Sequence, residues 1–229
     1  MNYTRFVCLI AISLIITWSS HLTAQTPAMT RGVSVQMAKS TNATPVPEAD
    51  TEDAWVVTVT ADGQLYFGVK PVSSAELMDV MKSTPRRRDQ NLYIKADARA
   101  PFGQIEKVAS TARTDFFFAP VLLTNQAEVP ALGKLVAPKG LQVFLTDPVP
   151  EAILVEISHS RQSVPEVKVN HQQVHLADLQ TALNQGLQKQ KERVVLLKVD
   201  GQLPFAQVAQ IIDACTSVQA KVMLPVPML

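Results

Sequence analysis

The residues of this chain that could do chemistry begin with two aspartates, Asp97 and Asp200, because they hold equivalent places in a stretch that occurs twice. Asn91 to Ala112, NLYIKADARAPFGQIEKVASTA, returns as Val194 to Cys215, VVLLKVDGQLPFAQVAQIIDAC. At a shift of 103 and without a gap, Lys95 falls on Lys198, Asp97 on Asp200, Pro101 on Pro204, Phe102 on Phe205 and Gln104 on Gln207. Two carboxylates brought together could exchange protons with a substrate. Each, however, stands between a strand end and a helix start, where turn formation and the helix dipole account for an acid equally well. With one copy expected in each of two domains, they do not read as a pair.

The other candidates are weaker. His171 and His175 are four apart, a spacing that could put two metal ligands on one helix face, but His171 falls at a hairpin turn before the helix begins. Cys215 lies on the apolar side of a helix, in register with Ala112, and reads as a small buried hydrophobe. Arg86, Arg87 and Arg88 are shorter than the basic tracts that bind polyanions and read as a solvated loop. The chain has no G-x-S-x-G, no Gly-rich phosphate loop and no Cys/His cluster. The expectation is therefore no catalytic, cofactor-binding or metal site, and no enzyme.

The elements that position these residues follow from the repeat, which must be sought before any other assignment. A short apolar run (Leu92 to Ile94; Val194 to Leu197) fits a buried strand. A polar turn with Asp follows, then Pro at the expected first helical position, where its missing N–H costs nothing. Phe102, Ile105, Val108, Ala109 and Ala112, matched by Phe205, Val208, Ile211, Ile212 and Cys215, mark one face of a helix. Further apolar runs, Phe116 to Leu123 and Val222 to Val226, complete a β-α-β unit in each copy.

The duplication extends beyond this unit. Gly32 to Met37 alternates apolar and polar, as a half-buried strand does, and Gly140 to Leu145 restates it. Lys39 to Asp53, rich in Ser, Thr, Pro and acid, reads as a flexible loop, and Asn42-Ala43-Thr44 has the form of a glycosylation sequon. Trp55 to Thr60 is a strand, Asp62-Gly63 a hairpin turn and Leu65 to Phe67 the returning strand. Ser73 and Glu76 have capping-box spacing, and Leu77, Val80 and Met81 give the helix after them an apolar side. In the second copy Ile153 to Ile157, Val167 to Val169 with a turn at Asn170, and Leu179, Ala182 and Leu183 repeat these parts. The domains expected are residues 32–126 and 140–229, joined by a linker over 127–139 that holds Pro130, Gly133 and Pro138.

The first 24 residues stand outside this plan. Arg5, the apolar run Phe6 to Trp18 and the small, polar end through Ala24 are laid out as a secretory signal peptide. The competing reading is an uncleaved membrane anchor, for which the run is shorter than the roughly 20 residues a span takes. Export would leave Cys215 as the one cysteine, and so no internal disulfide. The net charge of +1, from 21 basic and 20 acidic side chains, argues against nucleic acid as the main partner.

Taken together, these motifs resemble the periplasmic domain of the ExbD/TolR family of biopolymer transport proteins. The resemblance rests on Val57, Val59, Asp62, Gly63, Leu65 and Tyr66, then Pro71, Val72, Ser73, Glu76 and Leu77, then Lys95-Ala96-Asp97 and Pro101-Phe102-Gly103. It runs from about Gly32 to Leu123. It is weaker in the second copy, which keeps Lys198-Val199-Asp200 and Pro204-Phe205 but lacks the Asp-Gly turn and the Gly after Phe205.

The resemblance implies an α+β fold: two tandem repeats, each a small mixed sheet with two helices on one face. It implies an inner-membrane or periplasmic protein of the cell envelope that works with ExbB/TolQ-like and TonB/TolA-like partners. Family members couple the proton gradient through an aspartate in their membrane helix, and Phe6 to Trp18 carries no acid. The expected function is thus a non-enzymatic accessory or interaction protein of a TonB/Tol-type transport system that is not itself proton-conducting. It would be a homodimer, or a pseudo-dimer of the two repeats within one chain. The alternative is a soluble periplasmic protein that binds peptidoglycan or a small ligand at the cleft between repeats or at a sheet edge.

Overall fold

The structure is a computed structural model that describes residues 31–85, 91–113, 119–126, 137–147, 151–160 and 164–225. The N-terminal segment, the Arg86–Arg88 run and most of the linker lie outside the described residues.

The described chain forms two mixed sheets and four α-helices, the α+β architecture expected of two tandem ExbD/TolR-like domains. The first repeat holds β1 (Lys39–Ser40), β2 (Thr44–Pro45), a 3-10 helix (Pro47–Asp50), β3 (Trp55–Val59), β4 (Leu65–Phe67), β5 (Lys70–Val72), α1 (Ser74–Ser83), β6 (Leu92–Ala96), α2 (Phe102–Arg113) and β7 (Val121–Gln126). Then come β8 (Lys139–Gln142), β9 (Phe144–Thr146), β10 (Ile153–Ser158), β11 (Glu166–Val169), β12 (Gln172–Val174), α3 (Leu179–Leu187), β13 (Val194–Val199), α4 (Phe205–Ser217) and β14 (Lys221–Pro225).

Each repeat uses the same core. β6 runs parallel to both β3 and β7, and β13 parallel to both β10 and β14. An antiparallel three-strand meander extends each sheet, through β3, β4 and β5 or β10, β11 and β12. The first meander turns at Gly63, whose φ of +82° suits glycine. The second turns at Asn170 and His171, both at positive φ, the backbone a two-residue hairpin loop requires. The box that caps α1 is complete. Ser73 Oγ accepts from the Glu76 amide at 3.2 Å, and the Glu76 carboxylate accepts from the Ser73 amide at 2.9 Å. Leu77, Met81, Leu179 and Leu183 then face the core, as their spacing predicts.

Three sequence expectations change. Gly32 to Met37 is not a strand: only Met37 makes an isolated bridge, to Asp97, and the short β1 (Lys39–Ser40) runs parallel to β7 beyond it. Gly32 sits at φ +75°, which carries the backbone across the outer face of the sheet instead of along its edge. Lys39 to Asp53 is not a bare loop. Val46, Ala49 and Ala54 seat on Val56, Tyr93, Val121 and Leu123 in a second hydrophobic cluster.

Third, Gly140 to Leu145 is split between the sheets. β8 lies antiparallel on β7, and β9, beyond the buried Val143, lies parallel on β14. Gly140 lets β8 lie this close to β7, since a Cβ there would stand 2.2 Å from Val121 Cγ1.

The main hydrophobic cluster is continuous through both repeats. It joins Phe102, Ile105 and Val108 of α2 to Phe205, Val208, Ile211 and Ile212 of α4. α4 packs on β1 and α2 on β9, so each second helix reaches across to the outer strand of the other repeat.

Candidate functional site at the seam between the repeats

The duplicated turn-and-helix segments meet each other. Asp97 closes its turn by accepting the Arg99 amide at 3.0 Å, and Asp200 does the same for the Gln202 amide at 3.0 Å. Such Asx turns are what aspartate provides at the end of a strand. Asp97 also takes the Arg99 guanidinium on both oxygens, at 2.9 and 3.1 Å, and the Gln36 amide at 3.1 Å. Arg99 holds its carboxyl below the usual range, against the opposing effect of burial. Among the described residues Asp200 has a looser set, with the His159 amide added at 3.4 Å.

Beyond these turns the two chains cross. Pro101 and Pro204 form an antiparallel bridge. The Phe102 amide donates to the Leu203 carbonyl at 2.8 Å, and the Phe205 amide to the Ala100 carbonyl at 2.9 Å. The Gly103 amide donates to the Gly201 carbonyl at 2.9 Å, and the Ala206 amide to the Ala98 carbonyl at 2.8 Å. Moving the donor forward by 103 and the acceptor back by 103 turns the first bond of each pair into the second, so the seam has a local two-fold relation.

This corrects the placement of the prolines. Pro204 is the residue before α4, with extended backbone at ψ 139°, and α2 likewise begins at Phe102. The physical reason is the crossing itself. First-turn N–H groups have no partner inside a helix; here the opposite repeat supplies their acceptors, and an extended proline delivers them.

The contact is close on one arm. A Cβ on Gly201 would stand 3.1 Å from Gly103 Cα, and one on Gly103 would stand 3.2 Å from the Gly201 oxygen. Glu106 borders it, its carboxylate oxygen 4.0 Å from the Cβ added on Gly201. Burial pushes the Glu106 carboxyl up to about 7. The equivalent position in α4 is the fully buried Ala209. On the far side Asp213 of α4 accepts the Ser40 hydroxyl, the Thr41 amide at 3.3 Å and the Asn42 amide at 2.8 Å. Arg113 of α2 pairs with Asp147, just past β9, at 3.3 Å.

The remaining sequence candidates lie apart from the seam. His171 meets Glu156 at 3.0 Å on the hairpin, and His175 precedes a short 3-10 turn (Leu176–Asp178). Among the described residues no group of three His, Cys, Asp or Glu could hold a metal ion. Cys215 is buried in α4, and burial pushes its thiol up to about 12. Asn42 of the sequon spends its side-chain amide on Asp213 at 3.0 Å.

Lys95 is buried in the outer face of the first sheet, its Nζ donating to the Arg31 carbonyl at 2.8 Å. Burial lowers its pKa and nearby Asp50 opposes that. An open groove of about 400 Å³ runs beside Gly63, Leu65, Pro71 and Ser73. Its one charged lining residue, Glu76, is occupied by the α1 cap. Glu106, Asp213 and the Gly103–Gly201 contact were not legible as a site, because each acquires its role only when the repeats meet.

No helix among the described residues is long and apolar enough to cross a membrane. No curated protein matches the chain, and no solved structure matches it. The sequence model of the family "Biopolymer transport protein ExbD/TolR" matches residues 6–127 and again residues 116–224. The match covers both repeats and the motifs that build the seam. ExbD/TolR proteins are envelope-associated, non-enzymatic components of biopolymer transport systems. The chain belongs to the ExbD/TolR family.

Proposed function

We propose that this chain is a single-chain pseudo-dimer of two ExbD/TolR-type domains. It acts as a non-enzymatic interaction module of a TonB/Tol-type envelope system, beside ExbB/TolQ-like and TonB/TolA-like proteins, and does not conduct protons itself. One observation carries this reading: the hydrogen bonds between the repeats are reciprocal at a shift of 103, the relation expected when two like subunits meet about a two-fold axis. The apolar run Phe6 to Trp18 offers no carboxylate for a proton, and an ionisable group is what proton transfer inside a membrane requires.

The test is crosslinking of the full chain in its native cells, followed by identification of the trapped proteins. Recovery of ExbB/TolQ-like or TonB/TolA-like proteins is the expected result. Recovery of no envelope protein, with the chain instead sedimenting with purified cell wall, would replace this reading with a peptidoglycan-binding one.

A further inference from the structure

The two sheets differ on the face turned away from the helices. In the first repeat that face is sealed. Val56, Tyr93, Val121 and Leu123 are between 1% and 3% exposed beneath the segment from Val46 to Ala54. Lys95 lies on the same face beneath Arg31 and Gly32, near Asp50.

Strand register gives the equivalent positions in the second repeat. Val57 pairs with Ile94 as Val155 pairs with Leu197, so Val56, Tyr93 and Val121 correspond to Leu154, Leu196 and Met223. These three and Phe144 form one apolar row across four adjacent strands. All four are only half-buried, and among the described residues no second hydrophobic cluster covers them. Beside the row runs a charged one, Lys168, Glu156 and Lys198. Lys198 is the counterpart of Lys95, but its side chain is 69% exposed and pairs with Glu156 at 3.7 Å. Lys221, over the Phe144 ring at 4.3 Å, adds a third cation.

The fold thus records what fits this face. Residues 41–54 join β1 to β3 and include the cover of the first repeat, whereas the connection from β9 to β10 is six residues long, 147–152. The covering segment, VPEADTEDA, presents small apolar side chains and four acids with no base. We infer that the outer face of the second sheet is a docking site for an extended, acidic, proline- and alanine-containing segment of a partner protein. Its small apolar residues lie on the Leu154–Leu196–Met223–Phe144 row, and its carboxylates meet Lys198 and Lys221. Charge complementarity selects the acidic segment, and the half-buried row supplies area for it to cover.

This deepens the interaction-module reading by naming the partner's chemistry, and its test is separate. Crosslinking could succeed through the seam or a sheet edge while this face stays empty. The probe is a synthetic peptide with the sequence of residues 44–54, TPVPEADTEDA, titrated into isotope-labelled full-length protein. Saturable binding, with amide shifts centred on Leu154, Leu196 and Met223, is expected. Lys198→Glu, an exposed change that leaves the core intact, should weaken it about tenfold or more, as should Leu196→Glu. Three outcomes would overturn the inference: no saturation at millimolar peptide, shifts centred on Val56 and Tyr93, or binding indifferent to Lys198→Glu.

Discussion

Pro101 and Pro204, 103 residues apart in the chain, lie opposite each other in an antiparallel bridge between the two repeats. Neither can donate a backbone hydrogen bond, so the bridge is completed by the residues that follow. Phe102 and Gly103 donate in one direction, Phe205 and Ala206 in the other. A duplicated turn has become its own partner.

The closeness of this contact on the Gly103–Gly201 arm gives the first prediction. A side chain at Gly201 must push against backbone, not against a flexible side-chain tip. Gly201→Val should cost about 1–3 kcal/mol by overpacking, read as a lower urea midpoint with an unchanged slope. A wild-type midpoint would mean the two turns do not approach this closely.

Phe102 and Phe205 are both fully buried in the cluster shared by the repeats. Either Phe→Ala change should cost about 3–5 kcal/mol. Because the cluster is continuous, each should lower one common unfolding transition. A split into two transitions would show that the repeats unfold separately.

Glu106 makes the stability pH-dependent. Its carboxyl titrates near 4.5 when free of the fold and at about 7 within it. Between those values the folded chain keeps a proton that the unfolded chain has released, so stability falls as pH rises through this window, and the full cost stands above pH 7. Glu106→Gln should raise the Tm above pH 7 by about 2–4 °C and leave it unchanged below pH 4.5. Superimposed wild-type and variant profiles from pH 4 to 8 would refute the assignment.

The parts readable in the sequence were those built from neighbouring residues. Ser73 and Glu76 close their box within one turn, Gly63 turns its hairpin, and the apolar spacing of α1 to α4 marks their buried faces. The parts that were not readable depend on distant partners. Pro101 and Pro204 follow helix-start chemistry, but the crossing moves them one place outward. The Val46 to Ala54 cover packs with only three small apolar residues among four acids and one proline, too few to show a period. The split of Gly140 to Leu145 at Val143 follows from the arrangement of two sheets, which local pattern does not encode. The seam, being made of two turns that each look complete alone, left no local sign of itself.

Asp213 ties the N-terminal segment to α4 by accepting from Ser40, Thr41 and Asn42. Asp213→Ala should cost about 1.5–3 kcal/mol, the usual range for hydrogen bonds to a charged group. Because the loss is local, limited proteolysis should cut near residues 39–45 sooner than in the wild type. An unchanged cleavage pattern would show that this tie does not hold the segment.

The most direct test of the central claim, that the two repeats form one unit joined by a two-fold seam, is native-state hydrogen exchange at Phe102, Gly103, Phe205 and Ala206. These four amides should exchange together and as slowly as the central strand amides of Ile94 and Leu197, through global unfolding alone. If the four exchange rapidly while Ile94 and Leu197 stay protected, the repeats part from each other in the folded protein, and the pseudo-dimer is wrong.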